Sequence, residues 1–132
     1  MIFFYQNYFI KRQIHSVFIQ EVKLGDLLVT PFGTAKGFVA LIDDRNIKYV
    51  YLLDKERYRN MYNASFKNQK KYNSKNYDKL IEKIMSNDFK YDNTRPIIIE
   101  GDSNIILDGQ HRATILAYKY GLQYKIKVIT LY

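Results

Sequence analysis

The residues Asp108-Gly109-Gln110-His111-Arg112 stand between an apolar triplet, Ile105-Ile106-Leu107, and a segment with helical spacing. That order puts them at a junction from strand to helix. The first turn of a helix leaves backbone N–H groups unpaired and carries partial positive charge, so a phosphate placed there gains hydrogen bonds and favourable electrostatics together. Gly109 lets the backbone come close or turn with positive φ. Arg112 adds a charged fork suited to phosphate oxygens, and His111 can donate a hydrogen bond or move a proton. Asp108, at the strand end, can hold a magnesium ion, accept a proton from a hydroxyl, or merely cap the helix. Each residue alone also has a structural reading: Asp-Gly is plain turn chemistry, a lone His is ordinarily hydrogen-bonded, and Arg112 could pair with a carboxylate.

The elements that would position this run are legible on both sides of it. Pro96 enters Ile97-Ile98-Ile99, Gly101-Asp102-Ser103-Asn104 supplies a turn, and Ile105-Ile106-Leu107 returns, the pattern of a hairpin. A helix is expected over residues 110–120, ended by Gly121, and an alternating strand over 126–131 closes the chain. Before the hairpin, Asn73-Ser74 can cap a helix whose apolar positions Tyr77, Leu80, Ile81 and Ile84 form one stripe, with Lys75, Lys79 and Lys83 on another face. Toward the N-terminus, residues 17–22 read as a strand, with a short helical turn near Asp26 and a loop over 31–37. Residues 38–42 and 47–53 suggest two strands across the turn-prone Asp43-Asp44-Arg45-Asn46, with a helix over 52–62 competing. Residues 57–72 carry no readable pattern. The sum is a single α/β (α+β) domain with a mixed sheet over residues 1–132.

Composition narrows the chemistry. With no cysteine there are no disulfides, thiolate zinc sites or cysteine nucleophile, and two histidines, His15 and His111, are too few for a histidine-built metal site. Residues 1–10 are apolar and aromatic, but they lack a preceding basic residue and fall short of the roughly 18 apolar residues of a membrane span, so a strand in a cytoplasmic protein is expected. The abundance of aromatic residues, 13 Tyr and 8 Phe, reads as compositional drift rather than a recognition surface. The formal charge of +8 invites a nucleic-acid partner, and residues 55–90 hold ten basic side chains against four acidic ones. Such charge runs are ordinarily solvated faces, so nucleic acid is not the favoured partner.

Residues 74–130 resemble the ParB/sulfiredoxin-like fold: a helix, a proline-led hairpin, the Asp108–Arg112 turn, the helical face Ala113, Leu116, Ala117 and Tyr120, then Gly121 and a closing strand. In that family the strand-turn-helix junction binds nucleotide phosphates. The resemblance therefore implies nucleotide contacts at Gly109, Gln110, His111 and Arg112, and catalytic roles for Asp108 and His111. Asp-Gly-Gln-His-Arg is most similar to the Asp-Gly-His-His-Arg turn of a free-serine kinase branch, implying an ATP-dependent small-molecule phosphotransferase with Mg²⁺ at Asp108. Sulfinic-acid reduction needs a cysteine where Gln110 stands. DNA partitioning needs an Arg-Arg pair and a helix-turn-helix region after the domain, whereas here the chain ends one strand later. The base that the kinase branch carries after its first strand has only Asp26 and Glu21 as counterparts. A lysine/tyrosine-rich middle with this turn is also similar to ParB-like proteins found among surface-polysaccharide genes, which suggests a small hydroxylated acceptor. ATP and CTP both remain open, as does a non-catalytic nucleotide- or nucleic-acid-binding module, and a homodimer is compatible with the apolar N-terminal segment.

Overall fold

The computed structural model describes residues 14–31 and 37–132. The N-terminal segment read as a strand, and most of the loop after Pro31, lie outside the described residues. The chain runs β1 (Val17–Lys23), a 3-10 turn (Leu24–Asp26), β2 (Leu28–Val29), β3 (Val39–Ala40), α1 (Ile47–Leu53), α2 (Lys55–Ser65) and α3 (Ser74–Met85). A second 3-10 turn (Tyr91–Asn93) leads to β4 (Ile97–Glu100), β5 (Ile106–Asp108), α4 (Gln110–Tyr120) and β6 (Lys125–Leu131). Four strands form a mixed sheet in the order β1-β6-β4-β5, with β6 and β4 parallel and the outer pairs antiparallel. The domain is thus α+β with a mixed sheet, as its sequence pattern suggests.

The core lies between one sheet face and the helices. Ile97, Ile99, Ile126 and Val128 from the sheet meet Tyr77, Ile81 and Ile84 of α3 and Ile115, Leu116 and Ala117 of α4. The expected apolar stripe of α3 is the face it buries, apart from half-buried Leu80, while Lys75, Lys79 and Lys83 are exposed. Asn73 caps α3 by accepting a hydrogen bond from the Asn76 N–H at 2.8 Å. Gly121 ends α4 with φ +93°, a conformation that favours glycine, and donates its N–H to the Ala117 carbonyl. The β4–β5 hairpin forms as expected.

One expectation fails: residues 47–53 are helix α1, not a strand. A short apolar run does not distinguish a strand from a buried helix, and here the cap decides. Asn46 accepts from the Lys48 N–H, which starts the helix, while its amide donates to the Leu41 carbonyl and to Thr114 Oγ1 on α4. Asp54 then ends α1 and starts α2, accepting from the Arg57 N–H at 3.0 Å. Of the strand expected over residues 38–42, only Val39–Ala40 is extended, paired with β2.

Candidate functional site

Strand β5 delivers Asp108 to the sheet's edge, and the chain turns into α4 through Gly109 at φ +100°. Only glycine takes that backbone without strain, and a second constraint acts here too. A Cβ at position 109 would stand 2.7 Å from Ile97 Cγ1 and 2.9 Å from Arg112 Nη2. The close approach that Gly109 permits is therefore made by a guanidinium. No side chain caps α4, and Gln110, His111 and Arg112 of its first turn line a cleft of about 380 Å³.

Arg112 is largely buried, donates from Nη1 to the Arg95 carbonyl, and has no hydrogen-bond partner at buried Nη2. Burial lowers its pKa from the usual arginine value, against the pull of Asp108. Asp108 Oδ2 lies 3.8 Å from Arg112 Nη2 and 4.0 Å from Arg95 Nη2, ion-pair rather than hydrogen-bond distances. The Asp108 carboxyl is raised above its ordinary value by burial, with the Arg112 charge and the Gly109 N–H pulling it back.

His111 forms a wall of the cleft inside an aromatic cage. Tyr72 stacks on its ring at 4.8 Å, Tyr77 and Tyr62 meet it edge-on, and Phe66 tilts against it. The Tyr62 hydroxyl and His111 Nε2 share a 2.7 Å hydrogen bond whose direction follows the tautomer. Burial, with Lys48 and Lys71 nearby, holds the His111 pKa well below its ordinary value, so the ring is neutral at physiological pH. Gln110 ties β5 and the residue after β2 to the helix, accepting from Thr30 Oγ1 at 3.0 Å and donating to the Ile106 carbonyl at 3.2 Å.

Sequence reasoning missed Lys48. It is 2% exposed, and its ammonium donates at 3.4 and 3.3 Å to the Thr30 carbonyl and Asn46 Oδ1, both neutral. Burial lowers its pKa to about 8. A lysine inside an apolar run was the signal available. The tyrosines, read as compositional drift, were missed as well, since Tyr62, Tyr72 and Tyr77 fix the ring of His111. Asp26 and Glu21 do not line the cleft, which leaves Asp108 as its carboxylate among the described residues.

These donors suit a polyphosphate: the helix start, Arg112 and Lys48 converge with Lys71 and Arg95 on one cleft. Magnesium at Asp108, the carboxylate of the cleft among the described residues, would meet the Arg112 and Arg95 guanidiniums at 3.8 and 4.0 Å from its Oδ2. Comparison of the chain with protein families, with characterised proteins and with solved structures finds no match. No helix among the described residues is long and apolar enough to cross a membrane.

Proposed function

We propose that the domain binds the phosphates of a nucleotide at the start of α4 and transfers one of them to a small hydroxylated acceptor. The observation that carries this reading is the buried Arg112 Nη2, ion-paired to Asp108 at 3.8 Å but without a hydrogen-bond partner, beside a helix N-terminus that no side chain caps. A buried guanidinium N–H without an acceptor costs free energy, and a phosphate oxygen would remove that cost while meeting the helix N–H groups. The likeness of residues 74–130 to ParB/sulfiredoxin-like domains supports the same ligand, and the surface-polysaccharide likeness supports a hydroxylated acceptor.

In the transfer, the bond from the γ-phosphorus to the β,γ-bridging oxygen breaks and a bond from the acceptor oxygen to that phosphorus forms. The nucleoside diphosphate leaves with the bridging oxygen, and the acceptor's hydroxyl proton passes to Asp108. A carboxyl raised by burial is better matched to that task than an exposed one. Arg112, Lys48 and the α4 N–H groups hold charge on the phosphates as the transition state develops. Neutral His111, braced by Tyr62 and Tyr72, shapes the wall against which the ligand rests.

Calorimetric titration with ATP, ADP and CTP tests the reading. Saturable binding is expected, and Arg112→Ala should weaken it by about 1.5–3 kcal/mol, the worth of a charge-assisted hydrogen bond. Affinity indifferent to Arg112→Ala would overturn it. Asp108→Asn should lower turnover more than binding, because it keeps the shape of the turn and removes the proton acceptor. Binding without any turnover would favour the non-catalytic module, for which the pairing of Asp108 with Arg112 and Arg95 is the supporting observation.

A further inference from the structure

We propose that this cleft takes its polyphosphate free of divalent metal, with Lys48, Lys71, Arg95 and Arg112 supplying the positive charge that a magnesium ion would otherwise bring. The inference rests on the nucleotide-binding reading and deepens it by fixing the ionic form of the ligand. Among the described residues, four cationic side chains line the cleft against one carboxylate. Two of the four hold buried donors without a matched acceptor: Lys48 has only long bonds to neutral oxygens, and Arg112 Nη2 has no hydrogen-bond partner. Both arrangements leave donors that anionic phosphate oxygens satisfy directly.

The carboxylate that would have to receive a metal is already committed. Asp108 is 4% exposed and has the Arg112 and Arg95 guanidiniums within 4.0 Å of one oxygen. A divalent ion docked there would face the largely buried Arg112 charge at short range and the exposed Arg95 charge at the mouth of the cleft, and like-charge repulsion is stronger at the buried one. Of the two carboxylates of neighbouring α3, Asp78 is tied to the Tyr51 hydroxyl and Arg59, and neither it nor Glu82 lines the cleft. Magnesium bound to the phosphates would instead cover the oxygens that the four cations seek and lower the ligand's charge. Metal and protein thus compete for the same oxygens.

The test is calorimetric titration of the full chain with ATP in EDTA and again in excess Mg²⁺, for wild type and Asp108→Asn, with circular dichroism confirming that the variant folds. Binding in EDTA that excess Mg²⁺ weakens by on the order of tenfold is expected, the effect of removing one charge-assisted hydrogen bond. Asp108→Asn should bind metal-free ATP at least as tightly as wild type, because it releases both guanidiniums toward the phosphates. Binding that requires or is tightened by Mg²⁺, or that Asp108→Asn abolishes in a folded protein, would overturn the inference and leave the nucleotide reading standing. Binding in neither condition would remove both.

Discussion

Lys48 is the residue whose placement is most costly to the fold and most useful to the cleft. Its pKa in the folded protein, about 8, lies below the ordinary 10.5, so stability depends on pH with a defined sign. Below about 8 the group is charged in both states and the folded protein bears the full cost of burying it. Between that value and 10.5 the unfolded chain keeps a proton that the folded chain sheds, so this contribution becomes less unfavourable as pH rises. Lys48→Met should accordingly stabilise the protein near pH 7, on the order of 1–3 kcal/mol, and the advantage should shrink by about pH 9.5. Thermal melts of both proteins across that range check it; a pH-independent difference would mean that Lys48 holds its proton equally in the folded and unfolded states, so that burial does not lower its pKa. Ligand affinity should show the opposite trend and fall as Lys48 loses its proton. Gly109→Ala acts through geometry instead. A methyl group there requires positive φ and meets both Ile97 and Arg112, so a loss of about 2–4 kcal/mol in denaturant unfolding is expected, along with displacement of the guanidinium.

At the scale of elements, α1 shows what sequence reading can and cannot recover. The Ile47-Lys48-Tyr49-Val50-Tyr51-Leu52-Leu53 run is rich in β-branched and aromatic residues, which favours a strand on propensity. Its helical state is set by Asn46, whose contacts to Leu41 and Thr114 are tertiary and leave no periodicity to read. The start of α2 rests on a local cap instead, Asp54, which also ends α1. By contrast α3 with its Asn73 cap and apolar stripe, α4 with Gly121 at its end, and the β4–β5 hairpin with its turn residues carry local signals, so they and the Asp108–Arg112 junction were readable locally. The partners of that junction were not, because Lys48 on α1, Tyr62 on α2 and Tyr72 in the segment before α3 reach it only through tertiary packing. Asn46→Ala should cost about 2–4 kcal/mol, more than an ordinary cap, because it also strips a buried carbonyl and hydroxyl of their donor. A loss under about 1 kcal/mol would show that α1 is held by packing alone.

Across the whole molecule, two groups among the 21 Lys and Arg side chains have different consequences. Lys67, Lys70, Lys75, Lys79 and Lys83 are exposed on α3 and the segment before it, as the solvated-face reading expects. Buried Lys48 and largely buried Arg112 converge with Lys71 and Arg95 on the start of α4, where one anionic ligand could engage all four. Charge at the first set tunes long-range attraction that salt screens, whereas charge at the second sets affinity at short range. The mixed sheet makes the second set possible: β4 carries Arg95 at its approach, β5 carries Asp108 at its end, and α4 begins between them. The most direct measurement of the central claim is a titration of ¹⁵N-labelled protein with ADP followed by amide chemical shifts. Saturable shifts largest at the Gly109, Gln110, His111 and Arg112 amides are expected, as phosphate oxygens accept from the uncapped turn. Shifts confined to the exposed lysines of residues 67–83, with the α4 start unmoved, would contradict it.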